Sequence, residues 1–195
     1  MATWVIVVLI VLASLGAFAS PALRDRWVLR PYLVARGQQT WRVLTSAFIH
    51  ADLAHLIFNL VTFFSFSFPL ERAIGTPRLA ILYVFGLLAS NLGTCFQHRN
   101  EPDYASLGAS GAISAVLFAA IVYFPGSRLV IFPIPVPIPA PLFAVLYLAY
   151  SYYSARRNRG RINHDAHIAG ALAGLVFVAL TDPLRFAALA RYVSG

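Results

Sequence analysis

The chain contains no lysine, and only 11% of its 195 residues are charged. A soluble domain carries about a quarter charged residues, so a water-exposed surface of ordinary polarity is excluded for most of this chain. With 59% hydrophobic residues and a mean hydropathy of +0.73, the sequence belongs instead to the polytopic membrane class. The single cysteine, Cys95, excludes an intrachain disulfide and a cysteine-rich metal site. Its apolar neighbours make it a packing residue. HExxH spacing is also missing, so neither a metal nor an organic cofactor is expected. No acidic residue occupies the middle of a hydrophobic stretch, which argues against a proton or ion path. What charge there is comes from 15 arginines and gives a net charge of +8. On a soluble protein that value would raise the question of nucleic acid. Here the arginines fall between apolar stretches, and anionic lipid headgroups are the expected partner.

Six spans can be read, approximately Thr3–Ser20, Leu53–Leu70, Leu79–Phe96, Ser110–Phe124, Pro139–Tyr153 and Ala166–Thr181. The expectation is an all-α, six-transmembrane-helix bundle forming one membrane domain over residues 1–195. Several spans are short, which would thin the bilayer or admit water from one side. Ala17-Phe18-Ala19 before Ser20-Pro21 resembles a signal-peptidase site, but no basic residue precedes Arg24, so the first span is read as a retained helix. The connection Pro21–Asp52 mixes five arginines with Trp27 and Trp41 and should settle at the headgroup layer. Between the fourth and fifth spans, prolines 133, 135, 137, 139 and 141 exclude helix, and an extended interfacial segment is expected.

If six helices cross in turn, the N-terminal ends of the second, fourth and sixth lie on one side of the membrane. Those ends carry His55 with Asn59, then Ser110, then His167. A hydroxyl or imidazole in lipid is costly unless partnered, so four polar residues on one face point to a site. Small residues let the helices approach. His167, Gly170 and Gly174 share one face of the sixth span, and Ser110, Gly111, Ser114 and Ala115 form a comparable strip on the fourth. Close helices would bring a serine hydroxyl within reach of an imidazole base. Gly108-Ala109-Ser110-Gly111 is not the nucleophile elbow of α/β-hydrolases, since Ala112 stands where that motif needs glycine. His55 and Asn59 share a helix face, either as oxyanion donors or as an interhelical clasp. His50 reads as a structural partner near the helix entrance. His164, one turn before His167, is a rival base, whereas Asp165 would point away from His167.

In order along the chain stand Trp41-Arg42, His50, His55-x-x-x-Asn59, Glu71-Arg72 with Gly75, Gly108-Ala109-Ser110-Gly111, and Ala166-His167-x-x-Gly170-x-x-x-Gly174. This series resembles the rhomboid intramembrane serine proteases over nearly the whole chain. The resemblance implies a six-helix core in its minimal form, a Ser110 and His167 catalytic dyad, and an oxyanion hole from His55, Asn59 and the Ser110 backbone N–H. It further implies transmembrane protein substrates, cleaved near the end of their helix, and no nucleic acid partner. Trp41 and Arg42 resemble the family's membrane-embedded loop, and the fifth span its gate. Two alternatives stand beside this reading: a catalytically silent rhomboid-like client binder, although such relatives lose the serine or histidine present here, and a transporter.

Arginine placement and the resemblance disagree on orientation. Loops on the catalytic side hold Arg24, Arg26, Arg30, Arg36, Arg42, Arg99, Arg156, Arg157, Arg159 and Arg161, against Arg72, Arg78, Arg128, Arg185 and Arg191 on the other. The positive-inside rule places Ser110 towards the cytoplasm. The resemblance places it on the extracytoplasmic side of the cell membrane, the inner membrane in a Gram-negative cell, and is given the greater weight because the first loop's arginines can serve as interfacial anchors.

Overall fold

The structure, a computed structural model, describes residues 1–131, 134–156 and 163–194. Helix α1 (Ala2–Ala19) leads into three short helices, α2 (Pro21–Trp27), α3 (Pro31–Val34) and α4 (Arg42–Thr45). The long helices follow: α5 (Leu53–Ile74), α6 (Thr76–Gln97) and the shorter α7 (Ser110–Tyr123). A strand pair, β1 (Arg128–Ile131) and β2 (Ile134–Pro139), precedes α8 (Ala140–Arg156), α9 (His164–Thr181) and α10 (Pro183–Ser194).

Among the described residues, four helices, α1, α5, α6 and α9, are long and apolar enough to cross a membrane, and the protein is a multi-pass membrane protein. Expectation and structure part at the fourth and fifth spans. At 14 residues, α7 rises only about 21 Å, short of a ~30 Å hydrocarbon core. It need not meet lipid, because every residue from Gly111 to Val122 is buried by neighbouring helices. α8 has 17 residues, of which only Ala140 and Ser151 are buried.

The proline-rich connection is not a lone extended segment. β1 and β2 pair antiparallel, Arg128 with Pro139 and Leu129 with Ile138, so the all-α expectation holds for the bundle but not here. Proline at every second position removes every second N–H and confines the strand to an edge, while the intervening Ile138 remains free to pair. Pro133 lies outside the described residues, as do Arg157, Asn158, Arg159 and Arg161.

Capping contacts show the alternation of direction. Glu71, near the C-terminal end of α5, accepts from the backbone N–H groups of Ala2 and Thr3, at 2.6 and 3.2 Å, at the start of α1. Those are among the N–H groups that α1 cannot satisfy itself, and the carboxylate suits the positive end of the helix dipole. α1 and α5 therefore run antiparallel. α7 and α9 run parallel: their starts meet at Ser110 and His167, and at their far ends the Tyr123 hydroxyl donates to Asp182 at 2.9 Å. A Cβ on Gly170 would strike the Gly111 carbonyl oxygen, and one on Gly174 that of Ala115. The two helices touch backbone to backbone, the approach that small residues permit. Gly86 of α6 meets Ala115 from the other side.

Candidate active site

The turn into α7 places Ser110. Gly108 has φ 118°, a conformation that favours glycine, and its N–H donates to the Ser46 carbonyl at 2.9 Å. A Cβ there would sit 2.8 Å from Cε1 of His55, so glycine also lets the turn lie against that imidazole. Inside α7 the first N–H to find an acceptor is that of Ile113, which donates to Ala109 at 3.0 Å. The N–H groups of Ser110, Gly111 and Ala112 thus have no acceptor in their own helix, and the dipole adds partial positive charge beside the Ser110 hydroxyl.

The start of α9 places His167. Asn163 accepts the Ala166 N–H at 3.0 Å, while its Nδ2 donates to Thr94 Oγ1 of α6 at 2.9 Å and to Ser106 Oγ at 3.1 Å. One carboxamide ties α9, α6 and the segment leading to Ser110 together. The sequence reading passed over Asn163, although an asparagine immediately before an apolar helix is a common N-cap. With both starts fixed, Ser110 Oγ and His167 Nε2 stand 2.8 Å apart. The imidazole of His164 instead packs edge-on against Tyr150 and His167, with centroids at 5.5 and 5.9 Å. Asp165 faces away from His167: it accepts from Gln97 Nε2 at 3.2 Å and lies 3.8 Å from His98 Nε2.

His55 and Asn59 line the same cavity as Ser110 and His167. Asn59 is buried, and its Nδ2 donates to the His55 carbonyl at 3.1 Å. One carboxamide N–H engaged in this way leaves the second available. His50 backs this wall, its ring edge-on to His55 at 4.8 Å between centroids. Ser14 Oγ donates to the Phe48 carbonyl at 3.1 Å and so accepts from His50 Nδ1 at 2.9 Å, which puts the imidazole proton on Nδ1. Burial foremost, and then the neighbouring His55, hold His50 far below the usual histidine range, at about 3, so it is neutral.

Trp41 and Arg42 do not line this cavity. Trp41 is half exposed, whereas Arg42 is buried and donates from Nη1 to the Val28 carbonyl at 2.7 Å and to the Asp25 carbonyl. Its guanidinium holds the fold of the first loop, with Nε on the Gln39 side chain. Leu29 and Ser106 exchange backbone hydrogen bonds of 2.8 and 3.0 Å and fasten that loop to the segment before Ser110.

The cavity has a volume of about 2370 Å³ and extends from Ser110 and His167 along α5, past Thr62 and Pro69, to Arg128 of β1. The space exceeds the roughly 300–1,000 Å³ of small-molecule pockets and is open along α5, where Ile57, Phe58 and Val61 are half exposed or more. α5 forms one wall, and Phe143 and Tyr147 of α8 contribute to the other.

Comparison with known proteins gives the family. A rhomboid domain model matches residues 37–183. The chain belongs to the rhomboid family. It is similar to the rhomboid protease GlpG of Yersinia pseudotuberculosis serotype I (strain IP32953), with 28% identity over 153 residues, covering 77% of this chain and 51% of the relative. GlpG of Yersinia pestis (strain Pestoides F) matches to the same extent. The putative rhomboid protease YdcA of Bacillus subtilis (strain 168) is 41% identical over 81 residues, covering 41% of this chain and 39% of the relative. The chain thus spans two-fifths to half the length of the curated relatives it matches.

Proposed function

We propose that this rhomboid is an intramembrane serine endopeptidase whose dyad is Ser110 and His167, acting on transmembrane segments of other membrane proteins from a single membrane domain over residues 1–195. The observation that carries the proposal is the 2.8 Å contact between Ser110 Oγ and His167 Nε2 at the start of a buried helix, open to a cavity large enough for a polypeptide. Neutral His167 takes the serine proton on Nε2 as Oγ attacks the scissile carbonyl carbon. The tetrahedral oxyanion meets the Ser110 N–H and donors from His55 and Asn59. Collapse breaks the C–N bond, and His167 returns the proton to the leaving amine. Water activated by the same imidazole then cleaves the acyl-enzyme ester and regenerates Ser110. Gly108, Gly111, Gly170 and Gly174 hold the two helices at this separation, and His50 and Arg42 hold the wall and loop behind them.

A fluorophosphonate probe labels only an activated serine, so it tests the proposal against a client-binding role. Wild-type protein should be labelled and should cleave a model transmembrane substrate in liposomes, whereas Ser110→Ala and His167→Ala should do neither while remaining folded. Activity retained in Ser110→Ala would sink the serine mechanism. The site is further proposed to face the extracytoplasmic side. On that reading a cytoplasmic reporter fused after Gly195 is active, and Asn158→Cys is labelled by an impermeant thiol reagent from outside intact cells. The opposite pattern would mean that arginine bias sets the topology.

A further inference from the structure

Among the described residues, Tyr147 supplies a hydrogen bond between α8 and the helix that carries Ser110. Its hydroxyl lies 2.9 Å from Ser114 Oγ, and Ser114 stands one helical turn beyond Ser110 on α7. The ring runs nearly parallel to the His167 imidazole, at 17° with centroids 6.2 Å apart. Phe118 of α7 and Phe143 of α8 flank it at 5.6 and 5.7 Å, so its plane is set by packing as well as by the hydrogen bond. On the opposite side of the dyad the carboxylate nearest in sequence, Asp165, is turned towards His98 and Gln97. A serine and histidine pair needs its imidazole held in one plane, because proton transfer requires Nε2 aimed at Oγ; His164 meets the imidazole edge-on, and the ring that lies parallel to it is that of Tyr147.

We infer that Tyr147 is a positioning residue for His167: its ring, locked to α7 through Ser114, keeps the imidazole plane aligned on Ser110 when α8 is docked. The inference rests on the dyad reading above. Since α8 is otherwise so little buried, the same contact makes alignment of the base depend on whether α8 lies against the bundle.

The test compares Tyr147→Ala, Tyr147→Leu, Tyr147→Phe and Ser114→Ala by fluorophosphonate labelling rate and by cleavage of a transmembrane substrate. Removing the ring (Ala) or its flatness (Leu) should lower both the labelling rate and kcat about tenfold or more, with KM within about threefold of wild type. Tyr147→Phe should recover to within about threefold of wild type, and Ser114→Ala should match it. The double variant, Ser114→Ala with Tyr147→Phe, should lose nothing further, since one hydrogen bond is removed once. Tyr147→Leu keeps the apolar volume and carries the test if the alanine variant does not fold. Labelling of Tyr147→Leu at the wild-type rate overturns the inference, as does a loss confined to KM or faster cleavage, which would make the tyrosine a latch on substrate entry. Wild-type protein that takes no label would instead defeat the protease reading, whatever Tyr147 does.

Discussion

Helices α7 and α8 both line the candidate active-site cavity, yet they are built to opposite rules. α7 is buried along its length and meets α9 at Gly170 and Gly174 with no side chain between the backbones. α8 leaves Val145, Leu146 and Tyr150 more than half exposed and buries two residues. A contact between backbones admits no rotamer adjustment, so the spacing of the two main chains that carry Ser110 and His167 is fixed, and only the aim of the side chains is left to their neighbours. A helix that buries two residues and packs through a few partly buried side chains such as Phe143, Ala144, Tyr147 and Leu148 can be displaced at smaller cost, as the proposed entry of a bulky substrate would need. On the proposed reading, Ser110 and His167 sit on the tight side of the cavity and substrate would enter on the loose side.

The most direct way to break this contrast is to crowd the tight side. Gly170→Val drives a branched side chain into the Gly111 carbonyl, a contact that only backbone movement can relieve. Destabilisation of about 3 kcal/mol or more is expected, with cleavage reduced over a hundredfold, since even ~1 Å of misplacement has that effect on a reacting pair. Val145→Ala on α8, by contrast, should shift stability by no more than about 0.5 kcal/mol. Melting in detergent together with fluorophosphonate labelling checks both. Equal losses at the two positions would mean that the bundle does not divide as described.

Smaller effects are expected where donors rather than backbones are removed. Asn59→Ala and His55→Ala should each lower kcat about tenfold or more with little change in KM, because in the proposed mechanism these donors act on charge that develops only in the transition state. Variants that turn over normally but melt at lower temperature would restore the reading of this pair as an interhelical clasp.

Much of this contrast could be read from the residues. Ser110, His167, Gly170 and Gly174 stood out because small residues at helical spacing predict close backbones, and His55 and Asn59 because polar groups in apolar spans demand partners. Tyr147 did not, for an amphipathic ring in an apolar helix looks like any other interfacial tyrosine until its partner on another helix is known. Asn163 was hidden by its neighbours: Asn163 and Asp165 are both favoured N-cap residues, and their order alone does not choose between them. The strand pair escaped because proline argues against a sheet, and only pairing along one edge reconciles the two.

His50 offers a pH-dependent test of the same wall. Its native value of about 3 lies below the ordinary 6.5, so the unfolded chain binds a proton that the native protein refuses. Its contribution to stability is intact above pH 6.5 and diminishes as pH falls towards 3, at up to ~1.4 kcal/mol per pH unit for one proton. Wild-type melting temperature should therefore drop between pH 7 and pH 5, and His50→Asn should show a shallower drop from a lower starting point. Parallel curves for the two proteins would assign the acid sensitivity elsewhere.

The least disturbance is expected at Asp165, although it is the carboxylate nearest in sequence to the dyad. Two residues from His167 on one helix, it points to a different face, and its partners are Gln97 and His98 at the end of α6. Asp165→Asn keeps the shape and an acceptor for Gln97 and removes a charge from the first turn of α9, where an acidic group is worth about 0.3–1 kcal/mol. Cleavage should stay within about twofold of wild type, and melting should move by no more than that helix-dipole contribution. A near-complete loss of labelling in a protein that still melts normally would mean that His167 relies on Asp165 for its charge, and the site would then have to be redrawn as a triad.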